Sequence, residues 1–175
     1  VKLPRRITHE LRLADATAEL DVFLEQVIGL GDKLGVLLVQ LPPSLDFEGE
    51  TVRTFFAALR ARFRGSVACE PRHPSWLAPV VDRLLAELRI ARVAADPPAA
   101  GPGAGEPGGW DGLVYFRLHG SPRVYYSEYR PEELGRIAER LTAIGEVPRW
   151  CIFDNTAVGA AIENALALEE RFGAA

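Results

Sequence analysis

Two pairs of ionisable residues end apolar segments of the chain. Glu70 and Arg72 are two residues apart, and so are Arg117 and His119. Side chains alternate between the faces of a β-strand, so the members of each pair point the same way. A carboxyl group and an imidazole can transfer protons, and guanidinium groups can hold a carboxylate or a phosphate. These residues therefore predict a site that moves protons on an anionic ligand.

The apolar segments that carry these residues are each followed by a helix pattern. The segments lie at 35–41, 66–72, 90–96, 113–120 and 150–155. This repetition is typical of parallel α/β proteins, whose sites lie at the carboxyl ends of their strands. In the third segment, two-residue alternation predicts that Arg92, Ala94 and Asp96 share the polar face. Asp96 is then a third candidate catalytic residue, beside Glu70 and His119.

The polar face distinguishes two architectures. In an open, doubly wound sheet, helices would cover Glu70, Arg92 and Arg117, at a cost of about 2–5 kcal/mol for each uncompensated charge. In a (β/α)8 barrel the same face surrounds the barrel axis, and the polar ends line an open mouth. The pattern favours an α/β fold of the TIM-barrel-like (β/α)8 class. A five-stranded flavodoxin-like sheet is the alternative.

The number of strand–helix units predicts an incomplete barrel. Five complete units follow the end of an earlier strand at Lys2, so the expectation is a single domain over 1–175 that lacks its N-terminal strands. Residues 97–109 are rich in Gly, Pro and Ala, and they predict a flexible loop in place of a helix. The last helix pattern places its apolar residues at Val158, Ile162, Ala165, Leu166 and Phe172.

Further polar and aromatic residues near the strand ends are expected to bind the ligand. The full predicted ligand-binding set is Lys2, His9, Gln40, Arg72, His73, Arg117, Tyr126 and Asn155. Lys2, Arg72 and Arg117 would make the mouth locally cationic, which favours a phosphate ester or a carboxylate. Structural roles remain open as alternatives to ligand binding and catalysis. Arg117 could form an ion pair with Glu70 or Asp96, and Asp96 could cap the loop before Pro97.

The composition bears on partners and location. The net charge is −4, so a broad basic surface for nucleic acid is not expected. No apolar segment could span a bilayer and no signal peptide opens the chain, which predicts a cytoplasmic protein without a membrane partner. Cys69 and Cys151 lie inside predicted strands and are expected to be buried apolar residues. No cofactor is expected. A divalent metal on Glu70, Asp96 and His119 is a less favoured alternative, because no compact metal-binding motif occurs.

Several short motifs occur in a fixed order along the chain. They are Ile7-Thr8-His9, Gln40-Leu41-Pro42-Pro43, Glu70-Pro71-Arg72-His73, Asp96-Pro97, Tyr115-Phe116-Arg117-Leu118-His119-Gly120 and Phe153-Asp154-Asn155-Thr156. Together they resemble the YecE-like family, a domain of unknown function, over nearly the whole chain. The resemblance implies a TIM-barrel-like fold and no particular reaction. Asp154 stands where that family commonly has a second asparagine, which makes the mouth less cationic.

These observations leave three functions open. The first is a hydrolase or lyase for a small phosphorylated or carboxylated substrate, with Glu70 and His119 handling protons. The second is a non-catalytic protein that binds a metabolite at the same mouth, because no compact catalytic motif occurs. The third, nucleic-acid processing, is disfavoured by the net charge. Whether the protein is an enzyme is therefore not decided by the sequence.

Overall fold

Helices and parallel strands alternate along the computed structural model, which describes residues 1–173. The helices are α1 (Thr17–Ile28), α2 (Gly49–Arg62), α3 (Pro79–Glu87), α4 (Pro131–Thr142) and α5 (Ala160–Gly173). The strands are β1 (Val36–Gln40), β2 (Ser66–Glu70), β3 (Ala91–Arg92), β4 (Ala94–Asp96), β5 (Gly108–Gly109), β6 (Val114–Leu118) and β7 (Arg149–Phe153). Shorter turns are π-helical at Arg6–Glu10 and 3-10 at Gly31–Lys33, Pro74–Leu77 and Pro102–Gly105.

The strands follow one another in chain order across a parallel surface. β1, β2 and β3 pair in parallel, as do β4, β6 and β7. Only Val93 separates β3 from β4, so these two short strands join the two sheets. Lys2 forms a parallel bridge with Leu38 on the other side of β1. The mixed α/β class with parallel sheets is therefore as predicted. Within residues 1–173 no strand joins β7 to the Lys2 segment, so the surface does not close into a barrel.

Apolar side chains fill both sides of this surface. On the outer side, residues such as Leu37 and Phe116 pack with the helices in two clusters. On the other side, which we call the inner face, the cluster includes Val36, Ala68 and Tyr115. Neighbouring residues in a strand thus contribute to different clusters, as two-residue alternation requires. None of the helices described is long and apolar enough to cross a membrane.

In the third predicted strand, the polar side chains lie on the opposite face from the one predicted. Arg92 pairs in register with Cys69, and Asp96 pairs with Leu118. Residues paired in parallel strands share a face, and both partners lie on the helix side. Arg92 accordingly donates to Asp82 of α3, with 2.8 Å between Nε and Oδ1. The prediction that Arg92 and Asp96 belong to the inner face is wrong. Small apolar residues occupy both faces of this segment, so its sequence does not show which face is the inner one.

Residues 97–109, predicted as a flexible loop, contain a 3-10 turn and β5. β5 pairs antiparallel with β3, and the Gly109 N–H donates to Asp82 Oδ1 at 3.0 Å. Gly109 has a φ of +66°, and a Cβ atom there would lie 2.5 Å from the carbonyl oxygen of Ile90. Only glycine fits this close approach. The segment therefore folds back over the sheet edge, at the position where the alternation of strands and helices predicts a helix.

Candidate functional site

The carboxyl ends of β1, β2, β6 and β7 bring five ionisable side chains and one amide together on the inner face. We call this set the ionic cluster, and its members are Gln40, Glu70, Arg72, Arg117, His119 and Asp154. Arg117 and His119 come from β6 and its end, and Asp154 follows β7 directly. The parallel strands position these groups because each strand ends at the same edge of the surface.

Glu70 lies at the centre of the ionic cluster. Its side chain is 2% exposed, and its Oε2 atom accepts from Arg117 Nη1 at 2.5 Å. Its Oε1 atom lies 3.0 Å from Arg72 Nε and 3.3 Å from His119 Nε2. Burial raises the pKa of Glu70, but the hydrogen bond from His119 and the charges of Arg117 and Arg72 outweigh it and lower the pKa to about 2. Glu70 is therefore a carboxylate at neutral pH and has little capacity to donate a proton.

Arg117 connects strands across the inner face. Its Nη1 atom also donates to Gln40 Oε1 at 3.1 Å, and its Nη2 atom donates to Asp154 Oδ2 at 2.5 Å. The guanidinium group therefore holds carboxylates from two different strands, Glu70 on β2 and Asp154 after β7. The structural ion pair between Arg117 and Glu70, one of the alternatives from the sequence, is present.

His119 bridges the same two carboxylates. Its Nδ1 atom lies 3.0 Å from Asp154 Oδ2, and its Nε2 atom faces Glu70. Burial lowers the pKa of His119, but the hydrogen bonds to Asp154 and Glu70 more than reverse this, so the pKa is raised. The hydrogen bond from His119 likewise lowers the pKa of Asp154, despite partial burial. With His119 protonated, the cluster has three positive and two negative groups, the other positive groups being Arg72 and Arg117.

Positive charge continues beyond the ionic cluster. The pKa of His9 is lowered by burial and by the nearby charges of Arg5, Lys2 and Arg72. Lys2 and His9 were predicted ligand residues, and Arg5 was not recognised from the sequence. The charged groups near His9, which we call the cationic rim, are Lys2, Arg5 and Arg72, and Arg72 also belongs to the ionic cluster. Three cationic side chains therefore lie near this imidazole in a protein whose net charge is −4.

Two predicted site residues lie outside the ionic cluster. Asp96, on the helix side, accepts from the Tyr129 hydroxyl through Oδ2 at 2.7 Å. Asn155 is fully buried, and its Nδ2 atom donates to the Ser127 carbonyl at 3.0 Å and to Asn164 Oδ1 at 2.9 Å. The prediction that Asn155 lines the mouth is wrong, because in this last segment the preceding residue takes the inner face.

Two further predicted ligand residues have local roles. His73 caps the 3-10 turn at Pro74–Leu77, and its Nδ1 atom accepts from the Ser75 N–H at 3.3 Å. Tyr126 lies under the Arg123 guanidinium, 3.8 Å from its ring centroid. The neighbouring Tyr125 instead contacts the ionic cluster, with its ring centroid 5.9 Å from that of His119. The predicted residue Tyr126 thus packs on Arg123 while Tyr125 faces His119, and nothing in the loop sequence fixes which of the two rings turns inward.

The cysteines and the metal alternative do not add chemistry here. Cys69 is buried and Cys151 is half-buried, and neither forms a disulfide. Burial raises the pKa of both thiols, that of Cys151 to about 12, so neither is a ready nucleophile. The metal set of Glu70, Asp96 and His119 is not assembled, because Asp96 lies on the other face. Among residues 1–173, no group of three or more His, Cys, Asp or Glu residues is placed to hold a metal ion.

Comparisons with known proteins agree with the motifs. A family model described as "Protein of unknown function DUF72" matches residues 1–175. A DUF72 family crystal structure from Thermotoga maritima is 26% identical, with a TM-score of 0.80 over 99% of this chain and 72% of that one. One from Enterococcus faecalis is 26% identical, with a TM-score of 0.77 over 98% and 76%. A search of curated proteins found no match. The family resemblance indicated by the motifs is confirmed.

Proposed function

We propose, from the premise that this chain belongs to the DUF72 family of proteins of unknown function, that it binds a small anionic molecule at the carboxyl ends of its parallel strands. The ligand class is a phosphorylated or carboxylated metabolite. We further propose that the described strands and helices form an open portion of a TIM-barrel-like (β/α)8 arrangement. Parallel strands in chain order, alternating with helices, support that arrangement.

One observation carries the binding proposal: positive charge exceeds negative charge at the mouth of the site. The carboxylates of Glu70 and Asp154 are already engaged by Arg117 and His119. Beyond the ionic cluster, Lys2 and Arg5 of the cationic rim add two positive charges near His9. A local excess of cationic groups raises the local concentration of anions and holds them.

Catalysis as a hydrolase or lyase is the second candidate, and one observation favours it. The raised pKa of His119 favours its imidazolium form, which is able to donate a proton as a general acid. Its partner Asp154 has a side chain that is 31% exposed, so this edge of the ionic cluster is open to a ligand. Glu70, whose pKa is about 2, would position His119 and Arg72 rather than donate a proton.

Calorimetric titration of the 175-residue protein with inorganic phosphate and with acetate at low salt tests the binding proposal. The Arg72→Gln variant should bind these anions at least about tenfold more weakly, because it loses a charged donor at the mouth. Arg53→Gln is the matched control, since Arg53 forms an exposed pair with Glu87 at 3.3 Å. Failure of both anions to bind, or equal weakening in both variants, would refute the proposal.

Catalysis is tested separately with a panel of phosphate esters and sugar acids. If the protein is an enzyme, a member of the panel is turned over and His119→Gln loses that turnover. Bound compounds that are recovered unchanged, with a raised Tm, would instead support the non-catalytic function.

A further inference from the structure

Two side chains of the ionic cluster converge on one oxygen atom of Asp154. Arg117 Nη2 lies 2.5 Å from Asp154 Oδ2, and His119 Nδ1 lies 3.0 Å from the same atom. Short, charge-assisted hydrogen bonds from converging donors are the means by which proteins hold a bound carboxylate or phosphate. A carboxylate of the chain itself therefore occupies the position that these donors would offer to an anionic ligand.

Asp154 uses only part of the Arg117 guanidinium. The Nε and Nη2 atoms of an arginine lie on one edge of its planar fork, and an anion with two oxygen atoms can accept from both. Within residues 1–173, Arg117 Nε is buried and has no hydrogen-bond partner, while Nη2 donates to Asp154. The Arg117 side chain is 8% exposed, so the unpaired donor is costly to leave in place. This edge therefore lacks an acceptor that a bidentate anion would supply.

Another arginine of the chain shows the complete form of the same contact. Arg92 donates through Nε to Asp82 Oδ1 at 2.8 Å and through Nη2 to Asp82 Oδ2 at 3.3 Å. The exposed fractions of its arginine and aspartate, 7% and 35%, match those of the pair in the ionic cluster, 8% and 31%. At equal burial, Asp154 is thus held by one bond of the arginine fork where Asp82 is held by two.

The side chain of Asp154 can leave this position without moving its backbone. In the described part of the chain, every hydrogen bond of the carboxylate goes to Oδ2, which leaves Oδ1 without a partner. The Asp154 N–H donates to the Leu118 carbonyl at 2.8 Å, so the main chain stays attached to β6. When the carboxylate turns toward solvent, the donors of Arg117 and His119 face the mouth of the site.

From this geometry we infer that Asp154 is an internal competitor for the anion: a carboxylate or phosphoryl group displaces it and accepts from Arg117 Nε and Nη2 and from His119 Nδ1. The inference rests on the proposed anion site, and it adds the donors that hold the ligand and the residue that limits its affinity. That affinity is reduced by the fraction of molecules in which Asp154 fills the position. Removal of its charge should therefore tighten anion binding, whereas loss of a ligand-binding residue would weaken it.

Calorimetric titration of the 175-residue protein with inorganic phosphate and with acetate, at low salt, tests this inference. A pH of about 5.5 keeps His119 protonated, because it lies below the ordinary histidine pKa of 6.5. Asp154→Asn should bind both anions at least about tenfold more tightly than the wild type. Asp82→Asn is the matched control, since it removes the same charge from a pair of equal burial on the helix side. It should bind both anions as the wild type does.

A measurement on the wild type does not depend on the folding of any variant. In ¹H–¹⁵N spectra, the Arg117 Nε–H should move downfield and exchange more slowly with water when phosphate is added, because an unpaired donor gains a charged acceptor. The Arg92 Nε–H, which already donates to Asp82, is the internal control and should not shift.

The outcomes separate this inference from the proposed function. Phosphate that binds Asp154→Asn no more tightly than the wild type would overturn the role of Asp154 and leave the anion site standing. Bound phosphate that leaves the Arg117 Nε–H unshifted would also overturn it, whether or not the variant folds. Failure of the wild type to bind either anion would overturn the proposed function itself, and binding by Asp154→Asn in that case would trace the failure to the internal competitor.

Discussion

Arg117 and Glu70 form an ion pair across the inner face, with Nη1 2.5 Å from Oε2, although β3 and β4 lie between their strands. The long arginine side chain spans this distance because the intervening segment presents only small apolar residues, such as Ala91 and Ala95, to the inner face. Both members of the pair are almost fully buried, so neither charge can be hydrated when its partner is lost. The stability of the fold and the charge of the site therefore depend on the same contact.

Replacement of Glu70 by glutamine should lower the free energy of unfolding by about 3–5 kcal/mol. It breaks the buried half of the Arg117 ion-pair network, leaving Asp154 as the remaining carboxylate partner of Arg117, and removes the negative charge that Arg72 and His119 face. Urea denaturation at pH 7 measures the effect.

Glu87→Gln is the matched control for this prediction. Glu87 also pairs with an arginine, Arg53, but on the surface, where such pairs contribute about 0–1 kcal/mol. The double variant Glu70→Gln/Arg117→Met should cost less than the two single variants together, because both charges then leave the interior. A loss for Glu70→Gln as small as that for Glu87→Gln would show that the buried pair does not stabilise the fold.

The stability should also depend on pH, with a maximum between about pH 4.5 and 6.5. Bonds to Asp154 and Glu70 outweigh burial and raise the pKa of His119 above its usual 6.5, so its contribution is complete below pH 6.5 and is lost as the pH rises through the raised value. The pKa of Glu70 is lowered from 4.5 to about 2, since its donors outweigh burial. Its contribution is therefore present above pH 4.5 and is lost as the pH falls toward 2.

Urea denaturation between pH 5 and 9 tests the alkaline side of this profile. His119→Gln should flatten the decline above pH 6.5. His9→Gln should keep that decline, because the pKa of His9 is lowered by burial and neighbouring cations and acts with the opposite sign. A wild-type profile without a decline up to pH 9 would contradict the role given to His119.

Sequence patterns predicted the β2 and β6 halves of the site well. In these strands polar and apolar residues alternate with strong contrast, so the shared face of Glu70 and Arg72, and of Arg117 and His119, follows from two-residue periodicity. The contact between the halves could not be predicted, since it depends on which side chain spans the intervening strand. The segment of Asp96 lacks contrast between its faces, and there the prediction failed.

The last strand and helix show a different limit. Two polar residues, Asp154 and Asn155, follow β7, and only the pairing of Phe153 with Leu118 decides which of them faces inward. In α5 the predicted apolar face is also wrong. Ile162 is 72% exposed, whereas the buried face carries Asn164. Hydrophobic periodicity cannot identify the buried face of a helix when a polar residue on that face is buried because it hydrogen-bonds a neighbouring backbone.

Asn164→Ala should lower the free energy of unfolding by about 2–4 kcal/mol. The Asn164 amide bonds both the N–H and the carbonyl of Tyr129, which is buried, and it also accepts from Asn155. Without it, buried backbone groups lose their partners, at roughly 1–3 kcal/mol each. Glu163→Ala, at the exposed neighbouring position of α5, is the control in urea denaturation and should cost less than about 0.5 kcal/mol. Similar losses in the two variants would argue against the amide network.

Gly120 should tolerate alanine much less well than Gly145, although both have a positive φ, of +89° and +76°. At Gly145 an added Cβ meets nothing within 4 Å, so alanine should cost only the backbone strain, about 1–2 kcal/mol. At Gly120 the Cβ would lie 2.6 Å from the Ser127 carbonyl oxygen and 3.2 Å from Asn155 Cβ. Because the Ser127 carbonyl is held in place by Asn155, neither group can move away freely, and Gly120→Ala should cost at least about 1 kcal/mol more in urea denaturation. Equal stability in the two variants would show that the Ser127 carbonyl moves freely.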